Sequence, residues 1–334
     1  MHVPSLASGA PLRPLVGFFA RSIASFQRSD ATFQVVCTLP RPPRDAAPHD
    51  ALPTPIPPNT RPPSLIVLDS SFNPPTRAHL RMATSALETT SSHPSGSRLL
   101  LLLAINNADK APKPAAFEHR LAMMWAFAAD VQSAMQTSPQ CQSSSPPAHE
   151  TTETSIPTID IALSTEPYFH DKSAAIAAAE FYNPVGNKGE GAETEQVVLA
   201  GYDTLIRIFN PKYYGPAGTG VQEGGVTPMQ NALGPFLRRA KLRVTMRPDD
   251  EWGDGAEQRA YLEDLVSGDG LGRVGGKREW GGRIELVEGQ REGEEVVSST
   301  YARDAAGEKD WERLGRMVTP AVEGVVEELQ LYVK

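Results

Sequence analysis

A short segment combines hydroxyl side chains, turn-forming residues and a histidine at the predicted start of a helix. It covers residues 69–80 and reads DSSFNPPTRAHL. Thr76 is placed to cap the helix, and His79 falls in its first turn. Helix starts bind anions, because their first N–H groups lack helical partners and the helix dipole is positive there. The segment predicts a phosphate site with a histidine donor, although an ordinary strand-to-helix turn has the same local chemistry.

A second segment, more than two hundred residues downstream, offers hydroxyl groups followed by an arginine. Residues 297–303 read VSSTYAR, with Arg303 one helical turn after the three hydroxyl residues. A planar guanidinium matches pairs of phosphate oxygens, and the hydroxyls add further donors. Taken alone, the pattern is also typical of a Ser/Thr-rich helix cap.

Short apolar strands and amphipathic helices alternate along the chain and would position these two segments. Strands are predicted at residues 33–39, 65–69, 99–105, 159–162, 197–200, 242–246 and 283–287. The alternation predicts an α/β fold, a Rossmann-like parallel sheet with helices on both faces. In such folds ligands bind beyond the carboxyl ends of the strands, where both segments would lie.

Composition and proline content divide the chain into regions. Residues 1–39 are predicted to form an N-terminal helix and strand packed on the domain; alternatively, residues 1–29, with three arginines and no acid, are a mitochondrial targeting segment. Residues 40–63 hold ten prolines and are predicted to be an extended linker. Residues 64–334 form the main domain, with a disordered insertion at 137–158 and glycine-rich loops at 214–235 and 267–282.

The overall composition excludes several classes of protein. A net charge of −8 argues against a broad nucleic-acid-binding surface. The longest apolar run, residues 99–105, is far shorter than a membrane span requires. Two distant cysteines do not form a disulfide framework or a cysteine zinc site. We therefore expect a protein of the cytoplasm, the nucleus or both; nothing in the sequence indicates an oligomeric state.

Both chemistry-bearing segments resemble signatures of one family. The first matches Ser-Phe-x-Pro-x-(Thr/His)-x-x-His, and the second resembles Ile-Ser-Ser-Thr-x-x-Arg. They are similar to the nucleotidyltransferase motifs of the nicotinamide and nicotinic acid mononucleotide adenylyltransferases. Residues 203–214, DTLIRIFNPKYY, look like the fungal branch of that family, and the resemblance covers most of residues 65–332. Ser70 is a departure, since the family usually has glycine there.

The resemblance implies a reaction and a set of site residues. The reaction would transfer the adenylyl group of ATP to a pyridine mononucleotide, forming NAD and pyrophosphate, with Mg²⁺ bound by the substrate rather than by a protein cage. Catalytic roles would fall to His79, Arg303 and one of the two lysines Lys110 and Lys113. Nucleotide binding would fall to Ser70, Ser71, Phe72, Thr76, Gly201, Asp203, Arg247, Ser298, Ser299 and Thr300.

Two alternative functions and two questions about the site stay open. The chain is alternatively another nucleotidyltransferase of the same superfamily, acting on phosphopantetheine or using CTP, or an ATP-binding interaction protein without turnover. Tyr168 or Phe169 could stack on a pyridine ring, although the favoured interpretation makes both of them core aromatics. The sequence does not distinguish the amide from the acid form of the mononucleotide.

Overall fold

The computed structural model describes residues 12–40, 53–90, 98–106, 114–137, 156–184, 193–215, 225–246, 255–289 and 296–333. The strands are β1 (Phe33–Leu39), β2 (Ser64–Asp69), β3 (Arg98–Ala104), β4 (Thr158–Ser164), β5 (Glu195–Gly201), β6 (Ala240–Thr245) and β7 (Ile284–Val287). The α-helices are α1 (Leu12–Gln27), α2 (Arg77–Thr90), α3 (Phe117–Thr137), α4 (Phe169–Ala178), α5 (Tyr202–Ile208), α6 (Pro228–Arg239), α7 (Gly255–Ser267), α8 (Gly270–Arg273), α9 (Ser299–Gly307), α10 (Trp311–Met317) and α11 (Pro320–Glu328). Within these ranges, no helix is both long enough and apolar enough to span a lipid bilayer.

The seven strands form one sheet in the order β1-β4-β3-β2-β5-β6-β7. All neighbouring pairs are parallel except β1 with β4, which is antiparallel. The predicted α/β fold is confirmed, and the correction concerns only this edge strand. Because strands 2 to 4 progress in one direction and strands 5 to 7 in the other, the topological switch point lies between β2 and β5. A ligand crevice is expected beyond the carboxyl ends of these two strands.

The central strands are apolar because helices cover both faces of the sheet. Residues 65–68 of β2 and 99–103 of β3 are almost completely buried, as expected for the interior of a parallel sheet. Helices α1, α2, α3, α9, α10 and α11 pack on one face, and α4 to α8 pack on the other. This arrangement brings the starts of α2 and α9 to the same edge of the sheet.

The N-terminal helix and strand are part of the same fold as the rest of the chain, with β1 in the sheet and α1 packed on it. Phe19 and Phe26 of α1 are fully buried, and α1 packs against α3. The described part of the proline-rich stretch, residues 53–63, contains no helix or strand and runs beside β1, where the Ile56 N–H donates to Thr38 Oγ1 at 3.0 Å. Residues 12–39 are therefore integrated into the core.

The structure corrects the prediction of two long glycine-rich loops. Helix α6 begins at Pro228, within the 214–235 region, and continues to Arg239. Its start is stabilised by a capping box between Thr227 and Gln230, and Pro228 is in the first turn, where its missing N–H costs nothing. The 267–282 region contains α8 and most of a 3₁₀ helix at Arg278–Arg283. The side chain of Trp280 in this 3₁₀ helix is buried in the core. The high glycine and proline content of both regions suggested loops, although their apolar residues are buried in the core.

A buried polar network ties β1, β3 and β4 together. The carboxylate of Asp160 is fully buried and accepts from Arg98 Nε at 2.5 Å, Arg98 Nη2 at 2.8 Å, Thr38 Oγ1 at 2.7 Å and the Tyr182 hydroxyl at 2.9 Å. Burial, and secondly the charge of Asp160, raise the pKa of Tyr182 well above its usual value, so the phenol stays a donor. With four donors on one carboxylate, this buried ion pair is hydrogen-bonded in full.

We expect Asp160→Ala to lower the free energy of unfolding by about 3–5 kcal/mol, because it leaves the Arg98 guanidinium buried without a counterion. Denaturant unfolding measures this loss. The control is Glu312→Ala, which removes an exposed partner of Arg316 and should change stability by less than about 1 kcal/mol. Equal stability of the two variants would contradict the assignment.

Candidate active site

The side chain of Phe72 packs the loop after β2 into the core. Phe72 is fully buried, packs against Phe127, and has a φ of 45°, in the left-handed region that residues with a side chain rarely adopt. The apolar contacts hold this backbone conformation in place. The loop conformation is therefore fixed before any ligand binds.

His79 is oriented by the residues on either side of its ring. Its Nδ1 accepts from the Thr76 backbone N–H at 3.0 Å and lies 2.9 Å from Thr76 Oγ1. In the neutral imidazole this places the proton on Nε2, which lies 3.0 Å from Ser70 Oγ. The ring therefore presents an N–H donor toward Ser70, where β2 ends.

The downstream segment contacts this loop directly. The Ser299 hydroxyl donates to the Pro74 carbonyl at 2.8 Å, and Arg303 Nη1 donates to the Asn73 carbonyl at 2.8 Å. Arg303 Nη2 also donates to Thr300 Oγ1 at 3.1 Å. Ser298 caps α9 by accepting from the Tyr301 N–H. We call residues 70–79 and 298–303 together the phosphate cradle.

The side chains of Tyr332 and Arg120 also lie at the cradle. The Tyr332 hydroxyl donates to Asn73 Oδ1 at 2.8 Å, and burial raises the pKa of this phenol. Arg120 is buried beside it, with Nε donating to the Ala115 carbonyl at 2.8 Å. Burial chiefly lowers the Arg120 pKa; the charge of nearby Arg303 acts in the same direction, and Tyr332 opposes it. Two guanidinium groups thus concentrate positive charge at the cradle, as an anion site requires.

Gly201 and Asp203 lie at the end of the neighbouring strand β5. A Cβ atom at position 201 would stand 2.8 Å from Asp203 Oδ1, so a larger residue there would displace the Asp203 side chain. The Asp203 side chain is about one-third exposed and lies 3.5 Å from Arg207. The carboxylate is therefore partly accessible to solvent.

A cavity of about 140 Å³ opens beside the cradle, beyond the ends of β2, β3 and β4. We call it the aromatic cavity, since its lining includes Tyr168, Phe169, His170, Tyr213 and Tyr214. The rings of Tyr168 and His170 are stacked, with centroids 5.6 Å apart. Ser70 also lines the cavity, so cavity and cradle share one residue.

The polar lining of the aromatic cavity contains a buried ion pair. Lys172 Nζ lies 2.6 Å from Asp69 Oδ2, and its ammonium lies 5.1 Å from the centre of the Phe169 ring. Burial lowers the pKa of His170, and the charges of Asp171 and Glu166 oppose this shift. The sequence motifs did not indicate this pair, because its members are 103 residues apart.

The structure brings most of the predicted site residues together. Those that meet at the cradle are Ser70, Ser71, Phe72, Thr76, His79, Ser298, Ser299, Thr300 and Arg303, with Gly201 and Asp203 on the adjacent strand end. Lys110, Lys113 and Arg247 lie outside the described residues, so their predicted roles stay predictions.

The side chains of Phe72 and Thr76 are buried, and Thr76 orients His79, so these two residues could contact a nucleotide only through their backbone. One prediction about a side chain needs correction. Tyr168 is 37% exposed at the aromatic cavity and is not a core residue.

The donor set of the cradle suits the oxygens of a phosphate group. Among the described residues, no three His, Cys, Asp or Glu side chains cluster in a way that could hold a metal. The groups that converge are cationic or carry hydroxyl donors, and these bind phosphate oxygens.

Comparisons with known proteins agree with this geometry. Residues 67–177, which include the first cradle segment, match the cytidylyltransferase-like family model. Over 268 residues the chain is 30% identical to a protein of Schizosaccharomyces pombe that carries the provisional name nicotinamide mononucleotide adenylyltransferase; the match covers 80% of this chain and 86% of that protein.

Two solved structures of Plasmodium falciparum nicotinic acid mononucleotide adenylyltransferase also match at 12% identity over 80% of the chain. The complex with NaAD is covered to 97%, with a TM-score of 0.43, and the complex with APC to 96%, with a TM-score of 0.40. On its sequence match with the S. pombe protein, the chain belongs to the nicotinamide mononucleotide adenylyltransferase family.

Proposed function

We propose that this protein transfers the adenylyl group of ATP to the 5′-phosphate of a pyridine mononucleotide, forming the dinucleotide and pyrophosphate. The observation that carries the proposal is the direct hydrogen bonding of Ser299 and Arg303 to the loop that holds His79. This contact joins two phosphate-binding helix starts into one cradle, at the strand edge where nucleotides bind in such folds.

The reaction needs positioning and charge stabilisation more than proton transfer. An oxygen of the mononucleotide phosphate attacks the α-phosphorus of ATP, and the bond from that phosphorus to the bridging oxygen of pyrophosphate breaks. The attacking phosphate is already an anion at neutral pH, so no protein base has to activate it. The protein must hold both phosphates in line and stabilise the charge that develops on them.

The cradle supplies this stabilisation with groups whose orientation is already fixed. His79 presents Nε2–H at the end of β2, and the Arg303 guanidinium is held at one nitrogen by the Asn73 carbonyl. Preorganised donors aimed at developing charge contribute strongly, because they need no reorganisation during the reaction. We assign the transferring phosphate to His79 and the pyrophosphate end of ATP to residues 298–303.

The remaining site residues position the two substrates. Gly201 allows close approach of the adenosine, and the accessible Asp203 carboxylate accepts from its hydroxyl groups. The aromatic cavity adjoins Ser70 and fits the pyridine ring of the acceptor by stacking. Lys110 or Lys113, and Arg247, are proposed as additional phosphate contacts on the basis of the motif alone.

We propose that Mg²⁺ arrives bound to ATP and is held by substrate and water. When bound, it neutralises charge on the phosphate oxygens. The Asp203 carboxylate at the end of β5 would be a single ligand at most, and the hydroxyl and cationic donors of the cradle suit the outer phosphate oxygens.

The test of the function is an assay of the purified protein with ATP, Mg²⁺ and either nicotinamide or nicotinic acid mononucleotide. Formation of dinucleotide and pyrophosphate in equal amounts supports the proposal. Pyrophosphate release only with phosphopantetheine, or only from CTP, would assign a different transferase. Binding of ATP without any pyrophosphate release would identify a non-catalytic protein.

His79→Ala should lower kcat by on the order of 10²–10³, because it removes one preorganised donor. Steady-state kinetics of pyrophosphate release measure the change. His79→Gln, which keeps an amide donor, should lose less, and circular dichroism checks that both variants fold. Unchanged turnover in folded His79→Ala would remove this residue from the site.

Arg303→Lys should lower kcat/KM for ATP at least about tenfold, because an ammonium cannot replace a planar fork that binds carbonyl and phosphate together. The matched control is Arg316→Lys, at an exposed ion pair on α10, which should leave kcat/KM unchanged. Equal kinetics of the two variants would make Arg303 a structural residue only.

A further inference from the structure

A second cavity opens at the opposite end of the sheet from the phosphate cradle. It has a volume of about 140 Å³ and lies beside the starts of β2 and β5, where Leu65 and Gln196 are paired in the parallel register. We call it the rear cavity. Its polar lining includes Arg61, Glu193, Gln196 and Arg239.

Buried polar atoms without a partner gather at the rear cavity. Arg61 Nε, Ser64 Oγ and Gln196 Oε1 are buried and have no hydrogen-bond partner among the described residues. The Gln196 side chain is 1% exposed, and its Nε2 donates to the Ser173 carbonyl at 3.0 Å. Since a carbonyl can only accept, this bond fixes the amide nitrogen there and leaves Oε1 as a buried acceptor. A ligand that donates a hydrogen bond to Gln196 would remove the cost of leaving it unpaired.

The described lining of the rear cavity also carries an excess of positive charge. It contains the guanidinium groups of Arg61 and Arg239 and the carboxylate of Glu193. Burial chiefly lowers the pKa of Arg239, and the charge of Glu193 opposes this shift. Residues 185–192, which precede Glu193 in the chain, hold one lysine and one glutamate and leave this balance unchanged. Guanidinium groups bind oxyanions through pairs of N–H donors, so the lining suits an oxyanion.

The mixture of donors and acceptors indicates which oxyanion fits. The two arginines need acceptor oxygens, whereas Gln196 Oε1 and the Glu193 carboxylate need a hydrogen. Inorganic phosphate supplies both, because it keeps at least one acidic hydrogen at neutral pH. Sulfate has no hydrogen there, and phosphate monoesters have lost most of theirs, since their second pKa is about 6. The rear cavity is also well below the roughly 300 Å³ at which pockets for larger ligands begin, which favours a compact ion.

We propose that the rear cavity is a binding site for inorganic phosphate, separate from the candidate active site. Arg61 and Arg239 bind the phosphate oxygens, and the phosphate hydrogen is donated to Gln196 Oε1. The inference does not depend on the proposed function, because the phosphate cradle lies beyond the carboxyl ends of the strands and the rear cavity lies at their amino ends.

Isothermal titration calorimetry tests the selectivity of the wild-type protein for three anions at equal ionic strength. At about pH 8, inorganic phosphate keeps a hydrogen, whereas methyl phosphate and sulfate have none. We expect phosphate to bind at least about tenfold more tightly than either of the others, because only phosphate satisfies the buried oxygen of Gln196. Equal affinities would identify unselective anion binding and overturn the proposal. Absence of phosphate binding would show that water alone fills the cavity, and would overturn it as well.

Variants then locate the bound phosphate. Arg61→Gln removes one cation and should lower the phosphate affinity at least about tenfold. The matched control is Arg28→Gln, the same change at an exposed arginine that follows α1, on the other face of the sheet. It should leave the affinity unchanged, and so should Arg303→Lys in the phosphate cradle. Loss of binding in Arg303→Lys but not in Arg61→Gln would place the ion in the cradle and overturn the proposal.

A second variant keeps the test decisive if Arg61→Gln does not fold, which circular dichroism checks. Arg239→Gln makes the same change at the other arginine and should also lower the phosphate affinity at least about tenfold. An affinity unchanged in every folded variant of these two arginines would contradict the proposal.

Discussion

The carbonyl oxygens of Asn73 and Pro74 accept hydrogen bonds from Arg303 and Ser299, across 230 and 225 residues of chain. These bonds form only when the sheet has brought the starts of α2 and α9 to one edge. They hold the guanidinium at one end, which lowers the conformational entropy it loses on binding phosphate. They therefore join the loop that holds His79 to the start of α9.

The positions of the strands could be predicted from the sequence because burial on both faces leaves an unmistakable signal. The run at residues 99–103 is entirely leucine, and each residue is completely buried in β3. The direction of β1 could not be predicted, because local periodicity does not tell whether an edge strand is parallel or antiparallel. Helix α6 was missed although Thr227 and Pro228 carry a start signal, since its internal Gly234 and Pro235 suggested a loop.

The cradle could be predicted because its residues form two contiguous motifs. Tyr332 and the Asp69–Lys172 pair could not, because each gains its importance from a partner far along the chain. Tyr332, for example, reaches Asn73 across 259 residues. No local pattern distinguishes such a tyrosine from any other residue near the end of a helix. Only the folded chain shows which charges are neutralised and which face the crevice.

Ser70 shows how a departure from a family pattern can be compatible with the chemistry. Glycine is essential where the backbone needs a positive φ, and among the described residues the side-chain-bearing positions with positive φ are Phe72, Lys309, Gln330 and Tyr332. Ser70 is not among them, so its side chain adds no such strain.

The Ser70 oxygen instead lies 3.0 Å from His79 Nε2. Because the Thr76 N–H donates to Nδ1, the ring proton is on Nε2, and Ser70 Oγ accepts a hydrogen bond from it. A hydroxyl that accepts in this way can donate its own hydrogen to the next acceptor, and hydrogen bonds in series polarise one another. Two donors are therefore available to a phosphate. One is the imidazole N–H, if the Ser70 hydroxyl turns away from the ring, and the other is the Ser70 hydroxyl while it accepts from the ring. In both arrangements the donor lies beside the end of β2 and the aromatic cavity, where the proposed reaction would bring the attacking phosphate to the α-phosphorus.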